Sequence, residues 1–90
     1  MLKLLVKSAI KPGYWEKAAP LYKELIAETL KEKGCIEYEL FVDTADEHSC
    51  YLIETWESEA DLAAHQASEH VRRIVPLLGE CRPEKPELLF

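Results

Sequence analysis

The chain has 90 residues, of which 48% are hydrophobic and 31% charged, with a formal net charge of −6. This composition is globular and excludes a disordered chain, and one domain spanning 1–90 buries only about 60 to 65% of its unfolded surface, a thin core that a second copy would help to cover. The acidic balance without a Lys/Arg cluster excludes nucleic acid as a partner, and no apolar run approaches the roughly 20 residues that cross a bilayer.

Leu2 to Lys11 reads as a first strand, apolar on both faces, and Pro12-Gly13 ends it. Trp15, Ala18, Ala19, Tyr22, Leu25, Ile26, Thr29 and Leu30 then recur at helical spacing, with Gly34 as a C-cap after Lys31 and Lys33. Pro20 would cost about 3 kcal/mol in a helix interior, so the first turn is irregular or begins later than Tyr14. Cys35 to Val42 alternates as a second strand, with Ile36, Tyr38, Leu40 and Val42 on one face, and Asp43 to His48 is a polar turn that leaves His48 solvated.

The third strand carries Cys50, Leu52, Glu54 and Trp56 on one face and Tyr51, Ile53 and Thr55 on the other. A five- or six-residue connection makes a hairpin in which Tyr38 lies opposite Glu54 and Ile36 near Trp56. Ser58, three residues before Asp61, caps a short helix to about Ala67 that turns Leu62 and His65 toward the sheet. Ser68 caps the next helix, whose stripe is Val71, Ile74, Val75 and Leu78 and which Pro76 should bend or shorten. The carboxyl end closes on Leu88-Leu89-Phe90, expected as an edge strand on its own sheet or on a partner subunit.

The order β-α-β-β-α-(α)-β matches an α+β, ferredoxin-like antiparallel sheet with helices on one face. Leu5, Ala9, Phe41, Tyr51 and Ile53 then share the open face, and two such faces packed together predict a homodimer. Cys35, Cys50 and Cys81 are an odd set without CxxC spacing, and no cleavable leader pattern opens the chain, so a reducing cytoplasm is the expected home. Cys35 and Cys50 fall at opposite ends of the hairpin, too far apart to bridge, and read as small buried hydrophobes.

Chemistry concentrates between Tyr51 and His70, where an acid, an aromatic and two imidazoles span one strand-to-helix turn. Glu54 and Trp56 point the same way, and His65 faces them. A buried Glu54 needs a partner, for which His65 or Tyr38 would serve, since an unpaired carboxylate costs several kcal/mol. The plainer readings are a histidine satisfied by a carboxylate and a tryptophan that is simply core. His65 and His70 are five residues apart, about 140° on a single helix, so no metal site is expected from them. Lys17, Glu24, Glu28 and Lys31 belong to the wet face of the first helix, and Arg72, Arg73 and Arg82 are the cations available to a phosphorylated ligand.

Lys11-Pro-Gly13, Glu32-Lys-Gly-Cys-Ile-Glu-Tyr38, Glu54-Thr-Trp-Glu-Ser58, and Ala64-His65 with Ser68-Glu-His70 together resemble the antibiotic biosynthesis monooxygenase domain, a family of dimeric α+β barrels that includes small quinol monooxygenases. The resemblance covers nearly the whole chain. It implies a pocket between sheet and helices lined by Glu54, Trp56, His65 and also Tyr38 and His70. The haem-degrading branch fits less well, because its strand-one asparagine is unmatched at Leu5-Val6-Lys7 and its pocket tryptophan is replaced by His65.

What the resemblance implies is cofactor-independent oxygenation of a small phenolic or quinol-type substrate by dioxygen, with His65 as base, Glu54 orienting it, and Trp56, Tyr38 and His70 at the substrate. An isomerase or tautomerase using the same pair, and a non-catalytic ligand-binding dimer, are the alternatives; oxygen consumption separates the first of these from an oxygenase.

Overall fold

The computed structural model describes all 90 residues. Strands β1 (Leu2–Ala9), β2 (Cys35–Val42), β3 (Ser49–Trp56) and β4 (Glu87–Leu88) form one antiparallel sheet in the order β2-β3-β1-β4. Helices α1 (Trp15–Thr29), α2 (Glu59–Gln66) and α3 (Glu69–Gly79) supply the other layer. This is the ferredoxin-like α+β arrangement expected from the sequence pattern. No helix is long and apolar enough to cross a membrane.

The core forms where the even-numbered face of β3 meets the stripes of α1 and α3. Cys50 and Trp56 pack there with Tyr38 of β2, Ala18, Tyr22 and Leu25 of α1, and Ile74 and Leu78 of α3. Because side chains alternate along a strand, the same register sends Tyr51, Ile53 and Thr55 to the uncovered face. Leu5 lies beside Ile53 and Phe41 beside Tyr51, so the expected apolar centre of that face is present. Charges break it up at its margins: Lys3 pairs with Glu37 at 3.6 Å, and Lys7 sits 5.8 Å from the centre of the Tyr51 ring.

Two features differ from the sequence expectation. The first helix ends at Thr29 rather than reaching Gly34, because short-range bonds tighten the chain, Lys31 N–H to the Glu28 carbonyl and Glu32 N–H to the Thr29 carbonyl. Gly34 lies beyond the cap with φ of +82°, and a Cβ there would collide with the Asp61 carboxylate of α2, so only glycine allows that approach. The register shifts between Cys35 and Glu37, which places Cys35 rather than Ile36 opposite Trp56 and leaves Ile36 exposed. Pro20 and Pro76 are both accommodated inside their helices, with α1 starting one residue after Tyr14.

The carboxyl tail docks on its own chain. Val6 pairs with Leu88, Leu5 N–H donates to the Phe90 carbonyl at 2.9 Å, and Leu89 N–H donates to the Leu5 carbonyl at 2.8 Å. His48 is half-buried rather than solvated, and its Nδ1 has no partner. All three cysteines are free thiols, with Cys50 and Cys81 buried as expected and Cys35 half-buried.

Candidate active site between the sheet and the helices

Glu54 occupies the middle of the sheet, flanked by Leu4 of β1 and Tyr38 of β2, and points under the helices. Its carboxylate is 8% exposed and accepts a hydrogen bond from the Trp56 indole N–H at 3.0 Å, two residues along the same face. The buried acid therefore has a donor, but it is the indole and not His65 or Tyr38. Tyr38 is buried beside it, and burial, reinforced by the nearby Glu54 carboxylate, pushes its phenol well above the usual tyrosine range. Tyr38 is thus a neutral donor and not a base.

His65 projects from the last turn of α2 onto this face. Ser58 starts that helix by accepting the Asp61 N–H at 3.1 Å, which sets the phase that turns His65 inward. The ring is 5% exposed, stacked obliquely on Trp56 with centroids 4.7 Å apart and edge-on to Tyr38 at 5.3 Å. Its carboxylate partner is Glu32: Nδ1 lies 2.6 Å from Glu32 Oε2. The same oxygen lies 2.8 Å from Nε2 of His70.

Glu32 is the site residue that sequence reasoning missed. It belonged to the motif preceding the second strand, but a helix continuing to Gly34 would have made it one more surface charge. The early end at Thr29 and the close approach of Gly34 to Asp61 swing the Glu32 turn against α2 instead. A residue pattern of Glu two positions before a glycine that must adopt positive φ was the available signal.

The two histidines meet Glu32 from different helices. The 140° argument holds for a single helix, whereas Ser68 ends one and caps the next, donating to the His65 carbonyl at 2.6 Å and accepting the Val71 N–H. The rings consequently approach to 6.0 Å. Glu32, His65 and His70 offer ligand atoms all within 4.8 Å of one another, a two-imidazole, one-carboxylate donor set that could hold a transition-metal ion. As they stand, 2.6 and 2.8 Å are hydrogen-bond lengths.

A carboxylate has no proton to give, so His65 Nδ1 carries the hydrogen, and in the neutral imidazole the lone pair is on Nε2, the edge of the ring away from Glu32. That ring lines a cavity of about 280 Å³ together with Glu54, Tyr38, Leu52, Tyr22 and Arg82. The C-terminal tail closes one side through Pro86 and Leu88. Trp56 and His70 are not among the lining residues; Trp56 is fully buried behind His65, and His70 stands behind Glu32. Of the three candidate cations, Arg73 is held by Glu24 and Glu69 at 2.8 Å each, Arg72 is exposed away from the cavity, and Arg82 alone lines it.

The family model described as antibiotic biosynthesis monooxygenase matches residues 1–77. "Probable quinol monooxygenase YgiN" of Escherichia coli (strain K12) is 32% identical over 82 residues, covering 80% of this chain and 79% of that protein. Among solved structures, an antibiotic biosynthesis monooxygenase is 37% identical, with a TM-score of 0.94 over 99% of this chain and 94% of that one. A conserved protein from Methanosarcina mazei Go1 is 35% identical, with a TM-score of 0.93 over 96% of this chain and 85% of that one. On the match of its sequence from the first strand into the third helix, this chain belongs to the antibiotic biosynthesis monooxygenase family.

Proposed function

We propose that the chain is a cofactor-independent monooxygenase of a small phenolic or quinol-type substrate, with His65 as the general base. The observation that carries this reading is the hydrogen bond between Glu32 and His65 Nδ1, which fixes the tautomer and leaves a basic Nε2 on a ring that lines the cavity. The YgiN relative, named as a quinol monooxygenase, supports the same substrate class.

A hydroquinone is itself the reductant. His65 Nε2 takes a phenolic proton, and the electron-rich anion passes an electron to dioxygen. One oxygen atom enters the ring and the other leaves as water, so hydroquinone plus dioxygen becomes hydroxyquinone plus water. The four electrons come from the substrate. Tyr38, held neutral, is placed to donate a hydrogen bond to a substrate oxygen, and Glu54 supplies the acceptor beside it. Trp56 and His70 act from behind, Trp56 by backing the imidazole and donating to Glu54, and His70 by sharing Glu32.

A homodimer formed through the open sheet face belongs to this reading, supported by the uncovered centre at Leu5, Tyr51 and Ile53. Three free thiols accord with a reducing cytoplasm.

The test is oxygen uptake by the purified protein with a panel of hydroquinones and polyphenols, using labelled dioxygen and mass spectrometry of the product. Uptake above background with one labelled oxygen atom per product is expected, and unchanged by chelators. Background uptake across the panel sinks the oxygenase reading, and turnover of a substrate without oxygen consumption favours the isomerase.

A further inference from the structure

The cavity has a second polar end that the chemistry above does not use. Tyr22 of α1 sits over Cys50, with its hydroxyl 3.9 Å from Cys50 Sγ, whereas His65 sits over Trp56 and near Glu54. Cys50 and Glu54 are four residues apart on β3, which at about 3.3 Å per residue separates their backbone positions by roughly 13 Å. At the Tyr22 end, Arg82 Nη2 donates to the Tyr22 hydroxyl oxygen at 3.0 Å, and both side chains line the cavity.

Arg82 is unusual among the arginines. Arg73 is neutralised by two carboxylates and Arg72 is in solvent, but Arg82 is half-buried, forms no ion pair, and has its Nε buried without a hydrogen-bond partner. A desolvated guanidinium is costly unless an anion accompanies it. Its planar fork presents parallel N–H donors suited to two oxygens of one anionic group. Tyr22 adds to this: burial raises its pKa despite the neighbouring arginine, so it keeps its proton, and its oxygen already accepts from Arg82. The phenolic O–H is then available to donate beside the guanidinium.

We propose that Arg82, assisted by Tyr22, is a specificity-determining residue that binds a carboxylate carried on the substrate, so that the preferred substrate is a phenol or quinol bearing a short carboxylate side chain. This rests on the reading of the cavity as the site of quinol chemistry. A single monoanion matches the one unpaired cation in the cavity. A phosphate dianion would bring a second negative charge beside Glu54 with no further lysine or arginine lining the cavity to meet it. With the ring against Tyr38 and His65, the carboxylate is directed along the cavity toward Arg82.

The test is anaerobic calorimetry of 3-(2,5-dihydroxyphenyl)propanoate against its carboxamide, which keeps the shape and removes the charge. The wild-type protein is expected to bind the acid about tenfold more tightly or better, since hydrogen bonds to a charged group are worth at least that. Arg82→Gln should reduce the preference to within about twofold by weakening the acid more than the amide, and Arg82→Lys should retain part of it. Equal wild-type affinities for acid and amide overturn the proposal, as does failure of both to bind or a preference that survives in Arg82→Gln. The wild-type comparison stands even if a variant fails to fold. An Arg82-dependent preference together with background oxygen uptake across the panel overturns the oxygenase reading alone and leaves the carboxylate subsite intact.

Discussion

The two faces of the sheet share the same strands but obey different rules. Under the helices, the acids and imidazoles of the site have specific partners: Glu54 has the Trp56 indole, and His65 and His70 have Glu32. On the open face, Lys3, Glu37 and Glu39 sit around Leu5, Tyr51 and Ile53, and the Lys3–Glu37 pair is substantially exposed. Such an exposed pair is worth only about 0–1 kcal/mol. Water settles the charges outside, so their geometry is loose. Inside, desolvation makes each hydrogen bond specific, and specificity of that kind is what a catalytic tautomer requires.

Substitutions on the two faces should therefore separate activity from assembly. The largest effect is expected for His65→Ala, a loss of about 10²–10⁴-fold in oxygen uptake with the chain still folded, read by uptake beside circular dichroism. Uptake unaffected by this change would remove His65 as the base. Trp56→Ala, which empties the most deeply buried large side chain, should cost about 3–5 kcal/mol in denaturant unfolding. A cost below 1 kcal/mol would mean that the indole is not a core element. Ile53→Lys, on the open face, should shift the proposed dimer to monomer in analytical ultracentrifugation, weakening association by about 2 kcal/mol or more, with the covered face undisturbed. An unchanged sedimentation coefficient would overturn the proposed dimer through this face.

Gly34→Ala joins the two regimes at a smaller scale. Its positive φ and the Asp61 carboxylate against it predict a loss of about 1–3 kcal/mol in thermal or chemical unfolding. Uptake should also fall, because Glu32 is displaced from His65. Least affected is Cys50, whose thiol is pushed up by burial. It should react with iodoacetamide far more slowly than a free thiol at neutral pH, and rapid labelling of the folded protein would contradict the buried placement.

Much of this was legible from alternation and spacing. Tyr38 falls opposite Glu54 because strand periodicity fixes the face and a short connection limits the register. His65 turns inward because Ser58 sets where its helix begins. Other features left no such mark. The shift at Ile36 is a local bulge with no compositional signal, and the end of α1 at Thr29 overrides an apolar stripe that continues through Leu30. The pairing of His65 with Glu32 crosses 33 positions of sequence, and the helix break at Ser68 had to be in place before His70 could join it.

The sequence by itself determined the strands, the helix faces and the family, because these follow from periodicities of two and 3.6 and from local motifs. Only the tertiary structure decided who bonds to whom. It gave Glu54 to Trp56 and His65 to Glu32, and it left Arg82 facing the cavity without a counter-ion. The choice of Glu32 by His65 and His70 depends on distances of under 3 Å between elements far apart in the chain, set by how the layers pack, whereas Glu54 and Trp56 meet within one strand.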